Sequence, residues 1–165
     1  MSGEKSTQKG SEQMSDTNTP TAEWLREEIE ALKTRDVGTL NASMLPSYYS
    51  SDDEAKEVTM EYPLLDWEVN GIHTLHGGMG STMLDLTMSM VVYAYTRTGV
   101  PPTISMTTNY LRPIPMGQGG TVLVKARLTS CGRKNATAYC ELIIPESGKT
   151  AMTAIGTYAV IAPKA

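Results

Sequence analysis

The sequence contains no phenylalanine and only two cysteines and two histidines. Apolar packing must therefore rely on methionine and aliphatic side chains, and the 11 methionines make a deformable core. Two cysteines, Cys131 and Cys140, are too few for a disulfide scaffold, and their spacing is not that of a CxxC metal site. We therefore expect two reduced thiols in a cytoplasmic protein.

Long apolar runs and basic clusters are also missing. No stretch reaches the length of a bilayer span, and the N-terminus lacks the apolar core of a secretory signal. The net charge is −4, and the longest basic cluster is the pair Arg133-Lys134. Neither a nucleic acid nor a membrane is therefore expected as a partner.

The composition changes sharply near residue 20. Residues 1–20 are polar, with almost nothing to bury, and are predicted to be a disordered tail. The remainder, 21–165, is long enough for one domain with its own core. It begins with a predicted helix over 21–34, for which Thr21 is a candidate cap. The apolar positions of this helix fall on one face: Trp24, Leu25, Ile29 and Leu32.

A second helix is predicted over 77–96. Its run from Met79 to Tyr95 is apolar in nearly every direction around the helix axis, which is typical of a helix enclosed on most sides. After Pro101-Pro102 the pattern alternates, as in β-strands. The predicted strands are 103–111, 121–130, 137–144 and 152–161, preceded by two less regular ones at 44–51 and 57–65. Strands in a run favour an antiparallel sheet and an α+β fold.

Asp85 is the only formal charge between Glu68 and Arg97, and it lies within the apolar helix. A buried carboxylate is costly unless it is hydrogen-bonded, paired or partly wet. A role in the helix dipole is disfavoured, because Asp85 lies about eight residues past the helix start and the dipole effect fades within one turn. A solvated face, a structural network and a catalytic role all stay open.

The segment from Asn70 to Gly80 holds four glycines just before this helix. Glycines there leave the first N–H groups of the helix open to an anion or a developing oxyanion, although they could equally serve tight packing. His73 and His76 are the only histidines, and no further ligand lies near them in sequence, so no metal site is predicted. His76 could alternatively shape the loop by bonding to its backbone. No GxSxG motif is present, which disfavours a serine hydrolase.

The phrase HGGMGSTMLD, with Asn70 six residues before His76 and Asp85 nine after it, resembles the signature of hotdog-fold thioesterases. The similar proteins are those of the phenylacetate-pathway and thioesterase-superfamily-member-2 type, and the resemblance extends through Tyr110-Leu-Arg-Pro113 to cover roughly residues 57–161. It implies a curved antiparallel sheet wrapped around one long central helix, here with an extra N-terminal helix. It also implies dimers or dimers of dimers, with active sites at the dimer interface.

The resemblance implies hydrolysis of an acyl-CoA without a metal or other cofactor. Asp85 would be the general base or the nucleophile, and the Gly77 N–H would bind the thioester oxygen. Asn70 of the partner chain would place the water or the thioester, His76 would orient the loop, and Thr103 would steady the water or the carboxylate. The implied substrate-binding residues are Gly78, Met83, Ser105, Tyr110, Arg112, Arg133 and Lys134. Ser105 is expected to share the face of Thr103 and to be able to replace it.

Two other functions stay open within the same fold. Hotdog dehydratases and hydratases act on acyl thioesters, but no segment here matches their motifs. A non-catalytic acyl-CoA binding or sensor domain is the other, although it would need an output module. The acyl group, the thiol carrier and the choice between dimer and tetramer are not fixed by the sequence.

Overall fold

The structure is a computed structural model that describes residues 19–117 and 119–161. A six-stranded antiparallel sheet curves around a long helix, which confirms the predicted α+β architecture. The elements in chain order are α1 (Pro20–Arg35), α2 (Leu40–Ser43), β1 (Ser47–Asp52), β2 (Glu57–Pro63), a 3-10 turn (Asp66–Glu68), α3 (Gly77–Thr96), β3 (Thr103–Tyr110), β4 (Thr121–Cys131), β5 (Asn135–Ile144) and β6 (Lys149–Ala159).

The enclosed helix is α3, and its bounds confirm the prediction over 77–96. It ends at Arg97, whose φ of 54° turns the chain out of the helix. Its buried residues are Gly80, Met83, Leu84, Leu86, Thr87, Met88, Met90, Val91, Val92 and Ala94. The remaining side carries a half-buried polar stripe at four-residue spacing, formed by Ser81, Asp85 and Ser89. No helix in the described ranges is long and apolar enough to cross a bilayer.

The strands lie in the order β1-β2-β4-β5-β6-β3, and all neighbours are antiparallel. Alternate residues face α3, as predicted for β4, where Val122, Val124, Ala126 and Leu128 are buried. The first predicted strand begins too early. In the structure, β1 starts at Ser47 rather than at Met44, because Leu45 has a φ of 50°, which no strand accommodates.

α1 confirms the predicted N-terminal helix but not its cap. Thr19, not Thr21, is the cap residue, since its side chain accepts the Ala22 N–H at 3.2 Å. Pro20 follows at the start of the helix, where a missing N–H costs nothing. Apart from Thr19 and Pro20, the predicted disordered tail lies outside the described residues.

α1 packs against the C-terminal end of α3. Its buried face is Leu25, Ile29 and Leu32. The ring of Trp24 meets that of Tyr93 edge-on, with centroids 4.8 Å apart. The Arg97 guanidinium lies 4.0 Å from the Trp24 ring centroid, on a face that attracts cations. These contacts fix α1 beside the open side of α3.

β3 forms one edge of the sheet and contains a bulge. In the described ranges it pairs only with β6, so its outer backbone groups have no strand partner. Thr103 pairs with Tyr158, whereas Ser105 pairs with Thr157, so Ile104 is an extra residue. Paired residues share a face and neighbours alternate, so Ser105 faces away from α3. The expectation that Ser105 shares the face of Thr103 is therefore wrong.

Candidate active site

The Asp85 carboxylate is held by two hydroxyl groups from two strands. Thr103 Oγ1 donates to Asp85 Oδ1 at 2.8 Å, and Tyr158 OH donates to the same oxygen at 2.9 Å. Within the described residues, Oδ2 has no hydrogen-bond partner. One oxygen is therefore fixed and the other is free to take a proton from water. The half-buried position lets a charged carboxylate remain partly solvated, which avoids most of the cost of burial.

Tyr158 is the residue of this centre that the sequence reasoning missed. Its side chain is fully buried, and an added Cβ at Gly156 would lie 2.8 Å from its ring, so glycine there makes room for it. Burial, and then the neighbouring Asp85 charge, raise the pKa of Tyr158 above its usual value. The phenol therefore keeps its proton and serves only as a donor to the carboxylate. The alternating pattern of β6 could have placed it facing α3, but not opposite Asp85.

The second candidate centre is the start of α3, where backbone groups provide the chemistry. His76 caps the helix, because its Nδ1 accepts the Gly78 N–H at 3.0 Å. The sequence alternative in which His76 shapes the loop is thus the role seen in the structure. The Gly77 N–H has no acceptor within the described residues, and it lies at the positive end of the helix dipole.

Gly77 is also constrained by a close neighbour. Tyr110 packs over it, and a Cβ at this position would lie 2.9 Å from the Tyr110 ring. Tyr110 is anchored by a 2.7 Å hydrogen bond between its hydroxyl and Ser81 Oγ. Only glycine fits there without displacing the ring, so the free N–H and the tyrosine form one unit.

Asn70 ties down the loop that precedes α3. Its Oδ1 accepts the N–H groups of Ile72 (3.0 Å) and Thr74 (3.1 Å), and its Nδ2 donates to Thr74 Oγ1 at 2.7 Å. This turn is the kind that asparagine forms locally. Most of the hydrogen-bonding groups of this side chain are thus used within the loop. Its predicted part in placing water or thioester stays a prediction.

A cavity of about 360 Å³ opens at this end of α3. Its lining combines backbone, aromatic and cationic groups: Asn70, Thr74, Leu75, Gly77, Tyr110, Leu111, Arg112, Pro113, Ile114 and Met152. Arg112 is exposed at its edge, where a phosphate of a bound ligand could reach it. Asn70, which was predicted to be catalytic, and the predicted binding residues Tyr110 and Arg112 are therefore brought together with Gly77.

Other predicted binding residues lie elsewhere. Met83 is fully buried in the core. It lines neither this cavity nor a second cavity, described below, that adjoins Asp85. Its predicted contact with the substrate is therefore corrected. Arg133 and Lys134 are exposed in the turn between β4 and β5 and line neither cavity. Gly78 is exposed, and its N–H is taken by His76. Among the residues that the structure describes, no group of three His, Cys, Asp or Glu side chains could hold a metal.

Asp85 opens into a second cavity, of about 240 Å³, which also contains Thr103. Neither cavity includes the key residue of the other. Asp85 lies eight residues beyond Gly77 on one helix, which corresponds to about 12 Å along its axis. A carboxylate that acts through one water molecule and an N–H that binds an oxyanion must both lie within a few ångströms of the same reacting carbon, so these two groups of one chain are too far apart to act together. The carboxylate and the N–H donor are thus two separate candidate centres on this helix.

Comparison with known proteins identifies a matching family model and several similar structures. A family model described as "Thioesterase superfamily" matches residues 73–151, which include the start of α3, Asp85 and Thr103. The zebrafish thioesterase superfamily member 2 structure has a TM-score of 0.74 at 22% identity, over 86% of this chain and 99% of that one.

The chain has the hotdog fold, which it shares with structures from the thioesterase superfamily. Mouse thioesterase superfamily member 2 gives a TM-score of 0.71 at 20% identity, over 86% of this chain and 98% of that one. The PaaI protein of the Escherichia coli phenylacetic acid degradation operon gives 0.69 at 16% identity, over 85% of this chain and 98% of that one. A comparison with curated protein sequences found no match. The resemblance read from the sequence is thus confirmed, and at these identities the structures establish the fold.

Proposed function

We propose that the protein is an acyl-CoA thioesterase whose active site is shared between two copies of the chain. One copy contributes Asp85 with its donors Thr103 and Tyr158. The other contributes the Gly77 N–H, together with Asn70 and His76. The observation that carries the proposal is the separation of about 12 Å between Gly77 and Asp85 along α3, because each half-site then needs the other half from a second chain.

The free edge of β3 supports the shared site. Its outer N–H and C=O groups can pair with the same edge of a second copy around a twofold axis. Thr103, which contacts Asp85, begins this strand, and Tyr110, which covers Gly77, ends it. An antiparallel β3–β3 pair would bring the Asp85 end of one copy toward the Gly77 end of the other. The edge would thereby become buried and both half-sites completed.

The proposed reaction uses only these groups. Asp85 Oδ2 takes a proton from a water molecule as the water oxygen attacks the thioester carbon. The Gly77 N–H donates to the oxyanion that forms. The carbon–sulfur bond then breaks, the proton passes to the sulfur, and the products are a carboxylic acid and Coenzyme A. The cation expected near the nucleotide phosphates is Arg112. The two free thiols suit a cytoplasmic location.

Mixing two inactive variants tests the shared site directly. Asp85→Asn removes the base of one half-site, and Gly77→Ala blocks the donor of the other. When equal amounts are mixed under conditions of subunit exchange, half of the dimers carry one intact site. Hydrolysis of an acyl-CoA, followed by thiol release, is expected to recover to about a quarter of the wild-type rate.

Two results would contradict this proposal in different ways. No recovery on mixing, in dimers shown to have exchanged, would place the whole site within one chain. Binding of acyl-CoAs by the wild-type protein without turnover would make it a binding module instead. The matched control is the double variant Asp85→Asn/Gly77→Ala mixed with wild type. Each of the two shared sites in such a heterodimer combines one intact half with one defective half, so the heterodimer is expected to be inactive.

A further inference from the structure

The cavity beside Asp85 has walls of two different kinds. Its floor is one stripe of α3, formed by Asp85, Ser89 and Tyr93 at four-residue spacing. The stripe spans about 12 Å along the helix, so the cavity continues well past the carboxylate. The apolar part of the lining is Leu32, Leu86, Met90, Tyr93, Val100, Pro101 and Pro102. A floor of this length beside the proposed base suits the acyl part of a thioester.

The opposite wall is α1, which presents charged groups to this cavity. Glu28 and Arg35 lie seven residues apart, two turns of the helix, and Asp36 follows at its end. Arg35 Nη1 lies 3.6 Å from Glu28 Oε2, and its Nε lies 3.4 Å from Asp36 Oδ1. We call these three residues the α1 cluster. No hydrogen bond or ion pair joins it to Asp85 in the described part of the chain.

The charge of the α1 cluster restricts what it can recognise. Two carboxylates and one guanidinium leave a net charge of −1, which opposes a second carboxylate or a phosphate. A purely apolar chain would displace water from these ions and return no hydrogen bond. A hydroxyl group can donate to a carboxylate of the cluster and accept from Arg35, so it satisfies both kinds of partner.

We propose that the α1 cluster selects acyl groups that carry a hydroxyl at the end remote from the thioester. The inference rests on the proposed thioesterase function, and it adds a substrate class to it. α1 lies ahead of the residues that match the thioesterase family model, so this specificity would be a property of the N-terminal helix of this chain. The long floor of the cavity favours a flexible chain as the carrier of that hydroxyl.

Three acyl-CoAs of equal chain length provide the test: an alkanoyl, an ω-hydroxyalkanoyl and an ω-carboxyalkanoyl thioester. The wild-type protein is expected to show a kcat/KM about tenfold higher for the ω-hydroxy compound than for the other two, the scale set by one or two hydrogen bonds to charged groups. Glu28→Gln and Arg35→Met are expected to bring this ratio close to one. Melting temperatures report whether each variant is folded.

Matched controls lie on the same helix. Glu30→Gln and Lys33→Met change the same kinds of side chain, which pair with each other at 2.6 Å and line no part of the cavity. Both are expected to keep the wild-type ratio. A ratio that falls equally in controls and cluster variants would overturn the inference, because the loss would then reflect the helix and not its cluster.

The remaining outcomes separate this inference from the proposed function. Equal hydrolysis of all three thioesters, or a preference for the ω-carboxy compound, overturns the inference and leaves the thioesterase proposal standing. If none is hydrolysed, the thioesterase proposal fails. Calorimetry with non-hydrolysable thioether analogues then tests whether the α1 cluster still recognises the hydroxyl group. Tenfold tighter binding of the ω-hydroxy analogue would retain the α1 cluster as its recognition site, and equal binding would overturn it.

Discussion

The two proposed half-sites on α3 are built in opposite ways. At the start of the helix, the proposed reactive group is a backbone N–H, and glycine at position 77 is what keeps it accessible. In the middle of the helix, the proposed reactive group is the Asp85 side chain, held by hydroxyls from β3 and β6. The first depends on the local conformation of one loop, and the second on how distant strands pair. The two centres should therefore respond differently to substitution.

The largest effect is expected at the side-chain centre. Asp85→Asn keeps the shape and the acceptor for Thr103 but cannot take a proton, so kcat should fall by about 10³-fold. Thiol release from an acyl-CoA measures the loss. The matched control is Asp66→Asn, the same change at an exposed position, which should leave kcat unaltered. Retained activity in Asp85→Asn would mean that Asp85 is a structural carboxylate.

The backbone centre should lose less. Gly77→Ala forces the Tyr110 ring aside and crowds the N–H donor, so kcat should fall by about 10²-fold. Gly71→Ala in the same loop meets no atom within 4 Å of the added Cβ and should behave as wild type. Equal activity of the two variants would contradict an oxyanion role for Gly77.

The smallest effect distinguishes positioning from packing. Tyr158→Phe removes one donor from the carboxylate and should lower kcat/KM by about tenfold. Since burial raises the pKa of Tyr158, the pH profile of the wild-type protein should show no loss from this phenol near pH 10.

Tyr62→Phe is the control for this last prediction. Tyr62 is equally buried, but its hydroxyl bonds Thr87 and not Asp85. It should lower the free energy of unfolding by about 1 kcal/mol and leave kcat/KM unaltered. If both variants lower kcat/KM alike, Tyr158 acts only through stability.

The sequence could predict what depends on local periodicity. The enclosed helix and the alternating strands follow from such patterns, and the buried faces agree. The cap of α1 was misplaced by two residues, because Thr19 and Thr21 both suit a cap and only the start of the helix decides between them. Asp85 was a candidate from its position as the lone charge in an apolar helix, and the resemblance then assigned roles to Asp85, Gly77 and Thr103. Their geometry could be assessed only in the fold.

What could not be predicted depends on register between strands. Tyr158 is 73 residues from Asp85, and only the pairing of β3 with β6 shows that it lies beside Thr103 and the carboxylate. Ser105 was placed on the wrong face because simple alternation does not include a bulge. The α1 cluster joins the cavity through packing between helices that no periodic pattern encodes.

The bulge at Ile104 reverses the alternation of side chains along β3. Residues after it present even positions to α3, so Met106, Thr108 and Tyr110 face the helix, whereas Thr103 before it faces inward as an odd position. One added residue thus lets a single strand serve both ends of the helix. In a strand without the bulge, the separation of seven residues between Thr103 and Tyr110 would place these two side chains on opposite faces, so either the hydroxyl beside Asp85 or the ring over Gly77 would turn away from the helix. The length of this strand is therefore as much a part of the chemistry as the side chains on it.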